Sequence, residues 1–128
     1  MTTSNNRILV VDDEPDNSLI FSMALEYNGF AVDTFIDPQL ALSNFRADLY
    51  DLAIIDIKMP KMSGFDLYRE IKKIDNKVKV CFLTAFGEGY YEDFKKQFPD
   101  SASADFIRKP IAIDDLVKKV KAKLATSL

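Results

Sequence analysis

Short apolar runs recur along this chain, and each ends on a group that an apolar run should avoid. Ile8-Leu9-Val10-Val11 runs into Asp12-Asp13, and Leu52-Ala53-Ile54-Ile55 into Asp56. Val78 to Leu83 ends on the hydroxyl of Thr84, and Phe106-Ile107 leads through Arg108 to Lys109-Pro110. Buried parallel strands read as continuous apolar stretches. Open α/β sheets place ligands just beyond the carboxyl ends of their strands. If these runs are neighbouring strands, three carboxylates, one hydroxyl and one ammonium converge on a single spot. Such a spot suits a divalent cation and a phosphoryl group.

Stretches of helical period alternate with the runs. Pro15 suits a first helical turn, and Leu19, Met23 and Tyr27 follow at four-residue spacing with Ile20 and Ala24 beside them. Asn28-Gly29 is a helix stop, and Phe30 to Phe35 alternates as a strand does. Asp37-Pro38 opens a second helix whose inward face is Ala41, Leu42 and Phe45. Ser63 is a candidate cap for a third helix marked by Leu67, Tyr68, Ile71 and Ile74. Tyr90, Tyr91, Phe94 and Phe98 mark a fourth helix. In the last helix Ile113, Leu116, Val117, Val120 and Leu124 point inward, with acids at its start and lysines toward its end, as the helix dipole favours. Five β/α units predict an α/β domain with a parallel sheet and helices on both faces. The domain is expected over 7–125, with a frayed lead at 1–6 and a short tail at 126–128.

Composition narrows the function. No apolar stretch is long enough to span a bilayer, and the polar N-terminus lacks the regions of a signal peptide. The single cysteine, Cys81, lies inside an apolar run and reads as a core residue. A cytoplasmic setting fits. The net charge of −3 does not favour nucleic acid. The chain has no histidine, which excludes a histidine metal ligand, an imidazole-dependent triad and a phosphohistidine of its own.

Asp12, Asp13 and Asp56 would repel one another and raise each other's pKa unless a cation intervened. An all-oxygen set suits Mg²⁺, with Mn²⁺ as the alternative, and argues against zinc or copper. Asp56 is the candidate nucleophile, since a carboxylate can accept a phosphoryl group as an acyl phosphate. Such a transfer needs charge neutralisation more than acid–base groups. Lys109 supplies an ammonium, Thr84 a hydroxyl, and the backbone N–H groups of Ile57 and Ala85 further donors.

Asp-Asp-Glu after the first strand, Asp56 in Asp-Ile-Lys-Met-Pro with Gly64 beyond, Thr84-Ala85 and Lys109-Pro110 together resemble the response-regulator receiver domain, over nearly the whole chain. The resemblance implies a flavodoxin-like (βα)5 fold with a five-stranded parallel sheet of order 2-1-3-4-5. It implies phosphorylation of Asp56 by a sensor histidine kinase or a histidine phosphotransfer protein. Asp13 and Asp56 would ligate Mg²⁺ directly, Asp12 through water, and Lys58 through its backbone carbonyl. Thr84 and Phe106 would be the switch pair that reshapes the face of the fourth helix, fifth strand and fifth helix toward a downstream protein or output domain. The Lys109-Pro110 bond would be cis and hold Lys109 in place. Lys58 and Phe86, each two residues past a site residue, would tune dephosphorylation, a bulky Phe86 predicting slow loss. The chain departs from the family pattern in a longer stretch between Thr84 and Lys109, in Ser101-Ala102-Ser103-Ala104 where Gly-Ala is typical, and in Phe106 for the commoner Tyr.

Such a protein is a switch that promotes its own phosphorylation and dephosphorylation, not an enzyme acting on a separate substrate. Two other classes share parts of the pattern. Aspartate-nucleophile phosphatases also use Mg²⁺ and an acyl phosphate, but need a second acid where Lys58 stands. A flavodoxin-like binding module needs a Ser/Thr/Gly-rich phosphate loop where this chain has Asp-Asp-Glu-Pro. Asp12-Asp13 would also serve as a plain helix cap, Lys109 as a solvated lysine, and the lysines of the last helix as a solvated face.

Overall fold

The computed structural model describes residues 6–85, 90–99 and 104–125. Five strands and five helices alternate: β1 (Arg7–Val11), α1 (Pro15–Tyr27), β2 (Ala31–Phe35), α2 (Pro38–Asn44), β3 (Leu52–Asp56), α3 (Gly64–Ile74), β4 (Lys79–Thr84), α4 (Tyr90–Gln97), β5 (Asp105–Arg108) and α5 (Ile113–Ala125). All pairings are parallel, and the sheet order is β2-β1-β3-β4-β5, as the resemblance implied.

The central strands carry apolar side chains on both faces, so the sheet divides two cores. Leu9, Val11, Ala53, Ile55, Val80 and Phe82 pack with residues of α2, α3 and α4. Ile8, Val10, Ile54, Cys81, Leu83 and Ile107 pack with Phe21 and Leu25 of α1 and with Leu116, Val117 and Val120 of α5. Cys81 is a core residue, and burial pushes its thiol up to about 12.

Local signals explain several helix ends. Asp37 accepts from the Gln39 N–H, and Ser63 accepts from the Asp66 N–H, each capping the helix that follows. Gly29 adopts a φ of 95° just after α1, a left-handed conformation natural to glycine.

One expectation is corrected. Helix α1 forms where its spacing predicts, but the stripe of Leu19, Met23 and Tyr27 faces solvent, Tyr27 being 92% exposed. The buried face is Ser18, Phe21 and Leu25. The Ser18 hydroxyl donates to the Asp12 carbonyl at 3.0 Å, so a polar residue completes the inward face and hides it from an apolar count. Ile74 is likewise exposed at the end of α3.

Candidate functional site

Register brings the site together. Val11 pairs with Ile55 and Asp56 with Leu83, so the chain leaves β1 level with Asp56 and leaves β4 one residue further on. Thr84 pairs with Arg108, and the Lys109 N–H donates to the Thr84 carbonyl at 2.8 Å. Asp13, Glu14, Asp56, Lys58, Thr84, Ala85 and Lys109 line an opening of about 250 Å³ at the carboxyl end of the sheet.

Each acid is held differently. Asp12 is fully buried, and its Oδ1 accepts from the Glu14 N–H at 3.0 Å. Its Oδ2 is ion-paired with Lys109 Nζ at 3.0 Å. Asp56 is buried at the end of β3, with one carboxylate oxygen 3.4 Å from the same ammonium. Burial pushes Asp56 up to about 7; Lys109 pulls it down, while Asp12 and a shared hydrogen bond with Asp13 push it up. Burial of Lys109 disfavours its charge, but the Asp12 and Asp56 carboxylates outweigh this and hold it above its ordinary value. The Lys109-Pro110 peptide is cis.

One carboxylate oxygen each from Asp12, Asp13 and Asp56 lie within 4.8 Å of one another. Three carboxylates converging on one point, with oxygen as the only donor type, fit a hard divalent cation of the Mg²⁺ type. Acids away from the opening are satisfied otherwise: Asp33 accepts from the Tyr50 hydroxyl at 2.7 Å, and Asp48 pairs with Lys77 at 2.9 Å.

The remaining site residues fall in distinct places. Thr84 is buried at the end of β4, while Lys58 and Ala85 are exposed at the opening. The Ile57 N–H does not face the opening as a free donor; it donates to the Leu83 carbonyl at 3.0 Å, extending the β3–β4 ladder past Asp56. Phe106 packs among aromatic rings, with centroids 5.3 Å from Phe82, 5.7 Å from Tyr91 and 5.8 Å from Phe94. Phe86, Ser101 to Ser103, residues 1–5 and the tail 126–128 lie outside the described residues.

Two features escaped the sequence. Glu14 reaches Lys109, a contact across most of the chain that no local spacing announces. An apolar groove of about 620 Å³, lined by Ile20, Phe21, Pro110, Ile111 and Ile113 among others, adjoins the opening and shares Glu14, Ala85 and Lys109 with it.

Comparison with known proteins agrees with the geometry. The profile of the family described as response regulator receiver domain matches residues 8–121. The transcriptional regulatory protein PrrA of Mycobacterium leprae is 34% identical over 121 residues, which are 94% of this chain and 51% of that protein. The chain spans about half the length of the relatives of this kind that it matches. Among solved structures, a CheY-like response regulator receiver domain protein from Methanospirillum hungatei superposes with a TM-score of 0.83 at 30% identity, covering 94% of each chain. Response regulator TrrA from Thermotoga maritima, solved in complex with Mg²⁺ and beryllium fluoride, gives 0.74 at 33% identity, covering 91% of this chain and 97% of that one.

Proposed function

The chain belongs to the response regulator receiver domain family of two-component signalling, and on that footing we propose that Asp56 is its phosphoacceptor. The observation that carries the reading is one ammonium, Lys109, held within 3.4 Å of Asp56 and 3.0 Å of Asp12 at the end of the sheet. A phosphoryl group would move from the imidazole nitrogen of a donor to an Asp56 carboxylate oxygen. The P–N bond breaks, the P–O bond forms, and the donor nitrogen keeps the electron pair. Lys109 stabilises the charge on the phosphoryl oxygens, and the Thr84 hydroxyl donates to one of them. Asp12, Asp13, Asp56 and the Lys58 carbonyl would hold Mg²⁺, or Mn²⁺ in its place. When bound, that cation neutralises the carboxylates and the phosphoryl oxygens.

The donor histidine lies outside these 128 residues, which contain none. A sensor histidine kinase or histidine phosphotransfer protein fits, with the groove beside Lys109 offering apolar contact to the donor's surface. The response is a switch. Thr84 would shift toward the phosphoryl group, and Phe106 would move with it, disturbing Tyr91 and Phe94 of α4. The face of α4, β5 and α5 then presents a different shape to a partner or output domain. Names of relatives bring transcriptional control into the proposal. With a net charge of −3, contact with nucleic acid is assigned to what that face controls and not to this domain. No helix among the described residues is long and apolar enough to cross a membrane, which is consistent with a cytoplasmic switch. Lys58, exposed at the opening, and Phe86 are assigned to the control of phosphoryl loss.

Incubation with acetyl phosphate and Mg²⁺ followed by intact mass measurement tests the reading. A phosphate-sized gain is expected for wild type and not for Asp56→Asn. An equal gain in the variant, or none in wild type, refutes it.

A further inference from the structure

The Asp-Asp-Glu run carries a third carboxylate that the chemistry above does not use. Glu14 stands at the N-cap of α1, yet its side chain makes no capping hydrogen bond. Its Oε1 accepts from Asn17 Nδ2 at 3.0 Å and lies 3.5 Å from Lys109 Nζ. The ammonium has three protons to donate, and among the described residues it faces three carboxylates at rest: Asp12, Asp56 and Glu14. Two of these are buried, whereas the Glu14 side chain is 64% exposed and borders both the opening and the apolar groove.

We propose that Glu14 is a positioning residue for Lys109: it draws the ammonium toward the mouth of the opening at rest and yields it when an anionic group reaches Asp56. The inference rests on the reading of Asp56 as phosphoacceptor. Of the three carboxylates, Asp56 becomes the acceptor and Asp12 belongs to the cation set. Among the described residues Glu14 is then the remaining competitor for Lys109 and the one free to swing into solvent. Its charge also adds to the field that attracts a cation and repels an incoming anion. Removing that charge therefore has opposite effects on the two ligands. Cation binding weakens, because Lys109 turns fully onto Asp12 and Asp56. Anion binding at saturating cation strengthens, because Lys109 is no longer shared.

Isothermal titration of the full chain tests this with Mg²⁺ alone, and then with beryllium fluoride, the phosphoryl stand-in, at saturating Mg²⁺. Glu14→Gln keeps the acceptor for Asn17 and removes only the charge. It is expected to bind Mg²⁺ more weakly and beryllium fluoride more tightly, each by about 1.5- to 5-fold. Asp16→Asn removes the same charge from an exposed neighbouring acid that makes no contact with Lys109, and its shifts are expected to be less than half as large. Unchanged constants in Glu14→Gln overturn the inference, as do equal shifts in both variants, which would mean a general field and not a hold on Lys109. Wild type that takes up no beryllium fluoride overturns the Asp56 reading itself.

Discussion

Gly64 opens α3 directly against the backbone of Asp56. A Cβ built on it would strike the Asp56 carbonyl oxygen and come within 2.8 Å of Ile57 Cα. The Gly64 N–H donates to the Ile57 carbonyl at 2.8 Å, so helix and strand end are pinned at the acceptor itself. An added methyl has only backbone to displace. Gly64→Ala should therefore lose stability, by about 1–3 kcal/mol as in overpacked cores, even though alanine is the better helix former. Phosphoryl uptake should slow as well, because the strand end carrying Asp56 is what moves. Urea unfolding and timed mass measurement read the two effects. An alanine variant as stable and as fast as wild type would show that the close approach constrains nothing.

The pH dependence of stability follows from Asp56. Its carboxyl is pushed up to about 7 in the folded protein by burial and by Asp12, against Lys109, while an unfolded aspartate titrates near 3.9. Between those values the folded state holds more protons than the unfolded one, so stability falls as pH rises. Mg²⁺-free protein should thus become more stable as pH is lowered from about 7.5 to about 5. Lys109, held above its ordinary value, keeps its contribution throughout that window and loses it only at higher pH. Below it, Asp75 works the other way: its burial is outweighed by the N–H groups of Asp48 and Lys77, and its contribution is lost as pH falls through its depressed value. Asp56→Asn should flatten the rise toward pH 5. Denaturant midpoints across the range, measured in chelator, check the slope. A wild-type curve as flat as the variant's would mean that Asp56 ionises normally.

Lys109 is the counter-charge that keeps this acidic site stable without metal. Its side chain is 14% exposed and that of Asp12 is fully buried, so Lys109→Met strands a buried carboxylate. The Mg²⁺-free variant should be less stable by about 1–3 kcal/mol. Saturating Mg²⁺ should restore most of the loss by replacing one cation with another. The test is the gain in Tm on adding Mg²⁺, expected to be larger in the variant than in wild type. An equal gain would show that ammonium and metal do not answer the same charge.

The meeting of Lys109 with the acids was legible because the informative residues sit where parallel strands end, whereas the strand order came only with the family resemblance that those residues carry. A charge closing an apolar run has few places to go in an open sheet. The inward face of α1 was not legible, for a definite reason. Leu19, Met23 and Tyr27 share the spacing of a buried stripe, and only the sheet beneath selects Ser18, Phe21 and Leu25 instead. The Ile57 amide was misread because its partner, the Leu83 carbonyl, depends on how far the β3–β4 ladder continues. The contact between Glu14 and Lys109 spans 95 residues of sequence and leaves no periodic trace.

Phe94 is the point at which α4 is fastened to the domain. Its buried ring lies 5.7 Å from Phe65, 5.2 Å from Tyr68, 5.4 Å from Phe82 and 5.8 Å from Phe106. Truncating such a side chain costs about 3–5 kcal/mol when the whole fold bears it. Here the loss should be local. A helix as short as Tyr90–Gln97 has little stability apart from tertiary packing, whereas the sheet keeps its own partners on both faces. Phe94→Ala should therefore speed hydrogen exchange in α4 far more than in β1, β3 and β4, and the global unfolding midpoint should fall by less than the full cavity cost. The same change should weaken the link between the Phe106 ring and α4, since Phe94 and Tyr91 of α4 both touch it. Exchange that quickens equally in α4 and in the central strands would show instead that α4 and the sheet open as one unit, leaving no separately movable face for a phosphoryl signal to act on.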